Sequence, residues 1–237
     1  MMKKIKTYIK SKIENIFEYL MKKESHNIER ELQRIALRET CLFILESGLI
    51  KSKAFKDRFE LLEYSISQIS IKDGLILEFG VYKGETINFI ADLLKDKTIY
   101  GFDSFEGLPE TWRFDFEKGT FKIDKLPKVR QNVRLIKGWF HETLPEFISK
   151  IGKTPVSFMH IDCDLYSSTK VVLENFKNNI VEGTIIVFDE FFNYPGWKEG
   201  EYKAWMEFVS NNDIEFEYLG FCKYHEQVAV KITKIKR

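Results

Sequence analysis

Two stretches carry side chains whose types and spacing could do chemistry. In the first, His160-Ile161-Asp162-Cys163-Asp164-Leu165-Tyr166 runs into Ser167-Ser168-Thr169; in the second, Phe188 leads into Asp189-Glu190. Each follows an apolar run, Val156 to Ile161 and Gly183 to Phe188, that reads as a buried strand. Asp162, Asp164, Asp189 and Glu190 are therefore expected at strand ends on one rim of a single sheet. Carboxylates crowded into one crevice repel one another unless a cation sits among them. Hard oxygen donors suit Mg²⁺ or a similar divalent ion. Any one of these acids can instead cap a helix, and Asp164, ahead of Ser167, Ser168 and Thr169, is placed for that.

A second constellation lies upstream. Leu75-Ile76-Leu77 reads as a strand buried on both faces, followed by Glu78-Phe79-Gly80-Val81-Tyr82-Lys83-Gly84-Glu85-Thr86. Gly80 and Gly84 allow a sharp turn and a close approach of backbone to a ligand. Ile87, Ile90, Leu93 and Leu94 then recur at helical spacing. Strand, glycine turn and helix open a Rossmann-like half, with the ligand at the carboxyl end of the strand. The acid-x-Gly-x-x-x-Gly spacing is neither a dinucleotide fingerprint nor a P-loop, which disfavours an NAD-dependent dehydrogenase. A strand from Thr98 ends in Asp103 and Ser104, about 20 residues past the turn, where a carboxylate can accept hydrogen bonds from both ribose hydroxyls. Asp103 could equally cap a strand-end turn. Val133 to Ile136 reads as a further strand, and Gly138-Trp139-Phe140-His141 follows it. A glycine and two aromatics there could bracket an adenine ring, or Trp139 and Phe140 could be core.

Positioning these groups requires an α/β sheet domain. The 237 residues, 44% hydrophobic and 15% aromatic, suffice for one well-cored domain. With 37 basic against 36 acidic residues, the charge balance gives no support for a nucleic-acid binder. Cys41, Cys163 and Cys222 have the spacing of neither a disulfide framework nor a zinc site, so a reducing, cytoplasmic setting is the default. No apolar run reaches the length of a membrane span, and the N-terminus lacks a signal-peptide pattern.

Residues 1–70 read as a helical extension or lid belonging to the same domain as residues 71–237. Residues 1 to 23 form a basic amphipathic pattern. Ile5, Ile9, Ile13, Ile16 and Leu20 lie near one face, and Lys3, Lys4, Lys6, Lys10 and Lys12 dominate the rest. Such a helix can dock on its own domain or on a second subunit of a homo-oligomer, or touch an anionic membrane surface weakly. Two further helical patterns cover about Ile28 to Glu46 and Phe55 to Ile69. The long loop from Phe105 to Lys128 reads as functional and able to close over a substrate. Asn193 to Glu201 reads as a loop forming a substrate wall. Ile214 to Phe221 and Gln227 to Ile232 read as two closing strands, paired as an antiparallel hairpin at the sheet edge.

The ordered motifs GVYKGET, FDSFEGLPE, VRLIKGWFHETLPEF, HIDCDLYSST and FDEFF resemble those of the macrocin O-methyltransferase family of class I S-adenosylmethionine-dependent methyltransferases. The resemblance covers about residues 70 to 232. It implies a Rossmann-like, seven-stranded, mostly parallel sheet with helices on both faces and the last strand inserted antiparallel. It also implies methyl transfer from S-adenosyl-L-methionine to a hydroxyl of a sugar or glycosylated acceptor, assisted by Mg²⁺. Carried over by position, it places Glu78, Phe79, Gly80, Val81, Tyr82 and Thr86 around the methionine part of the cofactor. Asp103 and Ser104 would lie at the ribose, Gly138, Trp139 and Phe140 at the adenine, and Asp162 beside the cofactor. Asp162, Asp189 and Glu190 would hold the metal. The chain departs from the family in having Asp189-Glu190-Phe191 for an Asp-Asp-Tyr, and His160 near the place of an arginine.

Methyl transfer is an in-line displacement at a sulfonium carbon, so the protein must align the acceptor oxygen and help remove its proton. A metal-bound pair of acceptor oxygens would be more acidic, and a nearby base would take the proton. Asp164 is the first candidate base, with His141 and His160 behind it, and Asp162, expected at the metal, is a further catalytic candidate. Two other classes remain open. His160-Ile161-Asp162 with a distant His225 could make the iron site of an oxygenase, and the chain could be a cofactor-binding scaffold without turnover.

Overall fold

The computed structural model describes residues 2–236. The side chains of Lys3, Lys4, Ile5 and Leu20, on which the amphipathic pattern partly rests, lie outside the described set. The chain opens with helices α1 (Met2–Ser25) and α2 (Ile28–Glu46), then strand β1 (Lys53–Phe55) and helix α3 (Arg58–Ser67). The side chains of Asn27 and Asp57 cap α2 and α3, Asp57 accepting from the amides of Phe59 and Glu60 at 3.0 and 3.1 Å. Ile9, Ile13, Ile16 and Phe17 of α1 are exposed, so this helix does not bury its apolar face on its own sheet. No helix of the described residues is long and apolar enough to cross a membrane.

Five parallel strands then alternate with helices: β2 (Leu75–Phe79), α4 (Glu85–Leu93), β3 (Ile99–Asp103), β4 (Val133–Lys137), α5 (Phe140–Ile151), β5 (Val156–Ile161), α6 (Tyr166–Phe176) and β6 (Ile185–Phe188). Helix α7 (Glu201–Asn211) precedes β7 (Ile214–Cys222) and β8 (Val228–Ile235). The sheet has eight strands in the order β1-β7-β8-β6-β5-β2-β3-β4, and β8 alone runs antiparallel to its neighbours. This corrects the expected count of seven. The extra strand is β1, three residues inside the expected all-helical prelude, which pairs parallel with β7 from Lys53↔Gly220 to Phe55↔Cys222. The expected edge hairpin is also corrected. β8 is interior, bonded to β6 on one side and β7 on the other, and β1 is the true edge.

Every residue of β2, β5 and β6 is buried, as expected of central parallel strands covered on both faces. An aromatic stack fills one face. Phe79 lies over Phe102 at 5.1 Å and 14°, and meets Phe140 and Phe176 edge-on at 5.7 and 5.5 Å. From β2 the chain moves outward through β3 to β4, then returns to β5 on the other flank of β2. The topological switch point, where open α/β sheets bind ligands, therefore lies between the carboxyl ends of β2 and β5.

Phe176→Ala, which empties a fully buried site against Phe79 and Phe147, is expected to lower the unfolding free energy by about 3–5 kcal/mol. Phe114→Ala, at a side chain that is 67% exposed, is expected to stay within about 0.5 kcal/mol. Urea titration of both variants checks the contrast.

Candidate active site

The rim of the sheet is tied together strand by strand. Gly138 N donates to Asp103 O at 3.0 Å, Gly80 N to Phe102 O at 2.9 Å, Asp162 N to Phe79 O at 2.8 Å, and Asp189 N to Ile161 O at 2.8 Å. A cavity of about 520 Å³ opens on this rim. At its centre Gly80 has φ +90°, and a Cβ there would lie 1.6 Å from the carbonyl oxygen of Asp162. Only glycine lets the two strand ends come this close.

At the glycine turn, Val81, Tyr82 and Thr86 line the cavity with Gly80. Asp103 also lines it, and its carboxylate braces the turn. Oδ2 accepts from the amides of Val81 and Tyr82, both at 2.8 Å, and Oδ1 from Phe105 N at 2.6 Å. Ser104, Gly138, Trp139 and Phe140 line the same space. Two residues expected at the cofactor lie elsewhere. The Phe79 ring is fully buried in the aromatic stack. Glu78 is fully buried beneath the turn, where Oε1 accepts from the Thr86 hydroxyl at 3.1 Å and Oε2 faces His160 Nδ1 at 3.1 Å. Burial raises the Glu78 carboxyl above its ordinary value.

Asp162, Asp164, Asp189 and Glu190 all line the cavity. Burial, then the charge of Asp189, lifts Asp162 and Glu190 well above the usual carboxylate range and Asp164 to about 7. Burial also acts to raise Asp189, but His160 and Arg58 outweigh it and hold that carboxyl low. His160 is fully buried between two acids, its Nε2 lying 3.6 Å from Asp189 Oδ1. Burial alone would lower the imidazole, but Asp189 and Glu78 raise it to about 10. Ligand atoms of His160, Asp162 and Asp189 lie within 4.8 Å of one another. His160 Nε2, Asp189 Oδ1 and Glu190 Oε2 are buried without a hydrogen-bond partner. The converging set thus has His160 where Glu190 was expected, with Glu190 beside it on the cavity wall.

Asp164 has φ +63°, and Leu165 N donates to Cys163 O at 2.6 Å across it, a γ-turn that holds a non-glycine residue in the left-handed region. His141 is on the outer surface of α5, 71% exposed and 3.9 Å from Glu142 Oε1, and it does not line the cavity. His225 lies exposed between β7 and β8 and takes no part in the converging cluster, so the oxygenase reading loses its second histidine. Phe191 is fully buried against Phe43, Phe188 and Tyr202, so a tyrosine hydroxyl at that position would point into the core and not at substrate.

The loop after β3 folds back on itself. Leu108 N donates to Thr120 O at 2.8 Å and Gly119 N to Leu108 O at 2.9 Å, and Gly107, Leu108, Pro109 and Phe121 wall the cavity. Phe121 meets the Tyr82 ring at 5.4 Å. Arg113 pairs with Glu226 at 3.2 and 3.5 Å, tying this loop to the β7–β8 turn.

Two functional side chains carry no sequence signal. Arg58 lines the cavity from α3, bonding Glu85 Oε2 at 2.5 Å. Glu201 is fully buried at the start of α7 and clamps both acidic strand ends. It accepts from Cys163 N at 3.4 Å, the Thr169 hydroxyl at 3.3 Å and Glu190 N at 3.2 Å. Burial and the charge of Asp164 raise its carboxyl to about 8.

Residues 77–191 match the family model described as a methyltransferase domain, a little under half of the chain. A curated relative from Streptomyces olivaceus, 8-demethyl-8-(2,3-dimethoxy-alpha-L-rhamnosyl)-tetracenomycin-C 4′-O-methyltransferase, is 28% identical over 56% of this chain and 60% of its own length. Demethyldecarbamoylnovobiocin O-methyltransferase of Streptomyces niveus is 26% identical over 55% of this chain and 58% of its own. The chain therefore spans about three-fifths of the length of both relatives. The crystal structure of the calicheamicin methyltransferase CalS11 superposes with a TM-score of 0.60 at 21% identity, over 86% of this chain and 93% of that one. The chain shares the fold of that methyltransferase.

Removing a carboxylate that satisfies several buried donors costs about 1–3 kcal/mol for each donor left unpaired. Glu201→Ala is expected to destabilise the fold by about 3 kcal/mol or more, and Glu201→Gln, which keeps one acceptor oxygen, by clearly less. Equal losses in a urea titration would show that Glu201 is not the clamp.

Proposed function

We propose that this chain is an S-adenosylmethionine-dependent O-methyltransferase acting on a hydroxyl of a sugar or glycosylated acceptor, with a divalent ion such as Mg²⁺ assisting. The observation that supports it is one cavity at the switch point that joins a glycine turn and a strand-end Asp103 to a second lobe of four acids. The relatives, named as O-methyltransferases of a rhamnosyl-tetracenomycin and of demethyldecarbamoylnovobiocin, support the acceptor class.

The residues present fit both groups. Gly80 brings the end of β2 against the Asp162 carbonyl and presents bare backbone to the cavity. Asp103, whose oxygens accept three amide hydrogens, has room for a further donor, since an ionised carboxylate offers about four lone-pair sites. Buried and unpartnered acceptors on Asp189 and Glu190, with Asp162 beside them, fit a small hard cation. The cofactor supplies an electrophilic methyl group, and the ion would polarise and orient the acceptor hydroxyl.

The chain's own residues do the rest. Trp139 and Phe140 offer an aromatic wall for the adenine beside Gly138. Asp164, held into the cavity by its γ-turn, takes the proton of the acceptor hydroxyl. Its strained backbone aims the carboxylate at a fixed point, which suits a base that must meet a proton in one geometry. Tyr82, Phe121 and the folded-back loop exclude water above the reacting atoms.

Purified protein is expected to bind S-adenosylhomocysteine in calorimetric titration, and no binding with or without Mg²⁺ would overturn the reading. Asp164→Asn, which keeps a residue that tolerates the left-handed backbone, is expected to reduce kcat about 100-fold or more with cofactor affinity unchanged. Excess chelator is expected to abolish methylation of a rhamnoside acceptor panel, and added Mg²⁺ to restore it. Full turnover in chelator would remove the metal from the mechanism.

A further inference from the structure

The cavity contains a cation that the chemistry above does not use. Among its lining residues only Arg58 and Lys83 are basic; Lys83 is exposed, whereas the Arg58 side chain is 31% exposed. Arg58 Nη2 bonds Glu85 Oε2 at 2.5 Å, and Nη1 lies 4.0 Å from Asp189 Oδ2, beyond hydrogen-bond distance. Glu85 belongs to the start of α4, just after the glycine turn of β2, and Asp189 to the end of β6. The guanidinium thus bridges the mouth of β5, which lies between those two strands.

The order of the rim fixes what lies beneath it. Gly138 follows β4, Asp103 ends β3, Gly80 follows β2 and Asp162 follows β5. A nucleoside placed at Gly138 and Asp103 must send its other end past Gly80 toward β5. In S-adenosylmethionine that end is an α-amino acid, with one ammonium and one carboxylate. Acids abound there to receive the ammonium. The carboxylate would be repelled by the same acids and needs a planar donor set that is always charged. A guanidinium has five N–H donors, and Glu85 occupies one of them.

We propose that Arg58 binds the α-carboxylate of S-adenosylmethionine, with Glu85 holding the guanidinium in position. The inference rests on the methyltransferase reading and names a binding contact within it. Arg58 so becomes the residue through which the helical N-terminal segment joins the site, and the alternative role is a mere counter-ion for Asp189.

The two roles separate by ligand. S-Adenosylhomocysteine and 5′-methylthioadenosine share the nucleoside and the thioether, but only the first has the amino acid. In calorimetric titration, Arg58→Gln is expected to weaken S-adenosylhomocysteine at least about tenfold and to leave methylthioadenosine within about twofold. Arg58→Lys, which keeps the charge without the fork, is expected to fall between. Equal loss for both ligands in both variants, or no loss for either, would overturn the assignment. A wild-type chain that binds neither ligand would overturn the methyltransferase reading, and this one with it.

Discussion

The structure depends on one close approach. At the point where the chain reverses its progress across the sheet, the ends of β2 and β5 touch through Gly80 and the Asp162 carbonyl. Any side chain at residue 80 would force the strands apart. The crevice, the glycine turn beside it and the placement of Asp162 all follow from that contact. The aromatic stack of Phe79, Phe102, Phe140 and Phe176 lies under it and keeps the two strand ends from yielding.

The same crowding creates an electrostatic difficulty. Glu78, Asp162, Asp164, Asp189, Glu190 and Glu201 are gathered at one end of the sheet, and most are buried. Three features make this tolerable. His160 sits between Glu78 and Asp189, which raise its imidazole, and Arg58 lies 4.0 Å from Asp189 with a permanent positive charge. Burial lifts several of the other acids, so they need not all be ionised together. Glu201 turns part of the acidity into scaffolding by binding backbone amides at both strand ends.

Much of this was legible in the residue pattern. A central parallel strand reads as an unbroken apolar run, and the acid closing it marks the rim. Asp103, Asp162, Asp164 and Asp189 stood out for that reason. Arg58 and Glu201 did not, because each looks like any charged residue in the first turn of a helix, and their partners lie up to 131 positions away in sequence. The strand β1 was missed because three residues are too few to show a period. Phe79 and Phe191 adjoin functional acids in sequence, yet their rings pack in the core, Phe79 on Phe102 and Phe191 on Phe43 and Tyr202. His141 follows a cavity-lining pair but is the second residue of α5, where successive residues fan outward by about 100°.

The insertion of β8 between β6 and β7 has a consequence for biogenesis. Synthesis proceeds from the N-terminus, so β6 waits for a neighbour, β8, that is made only after α7 and β7. β1 waits far longer, because its partner strand β7 is made 167 residues later, from Lys53↔Gly220. The strands from β5 to β4 can pair early, but the rest of the sheet is sealed only once β7 and β8 have been made. Pairings so distant along the chain slow folding and leave strand edges open in the interim. A nascent chain of this topology thus needs shelter from aggregation until β7 and β8 have emerged.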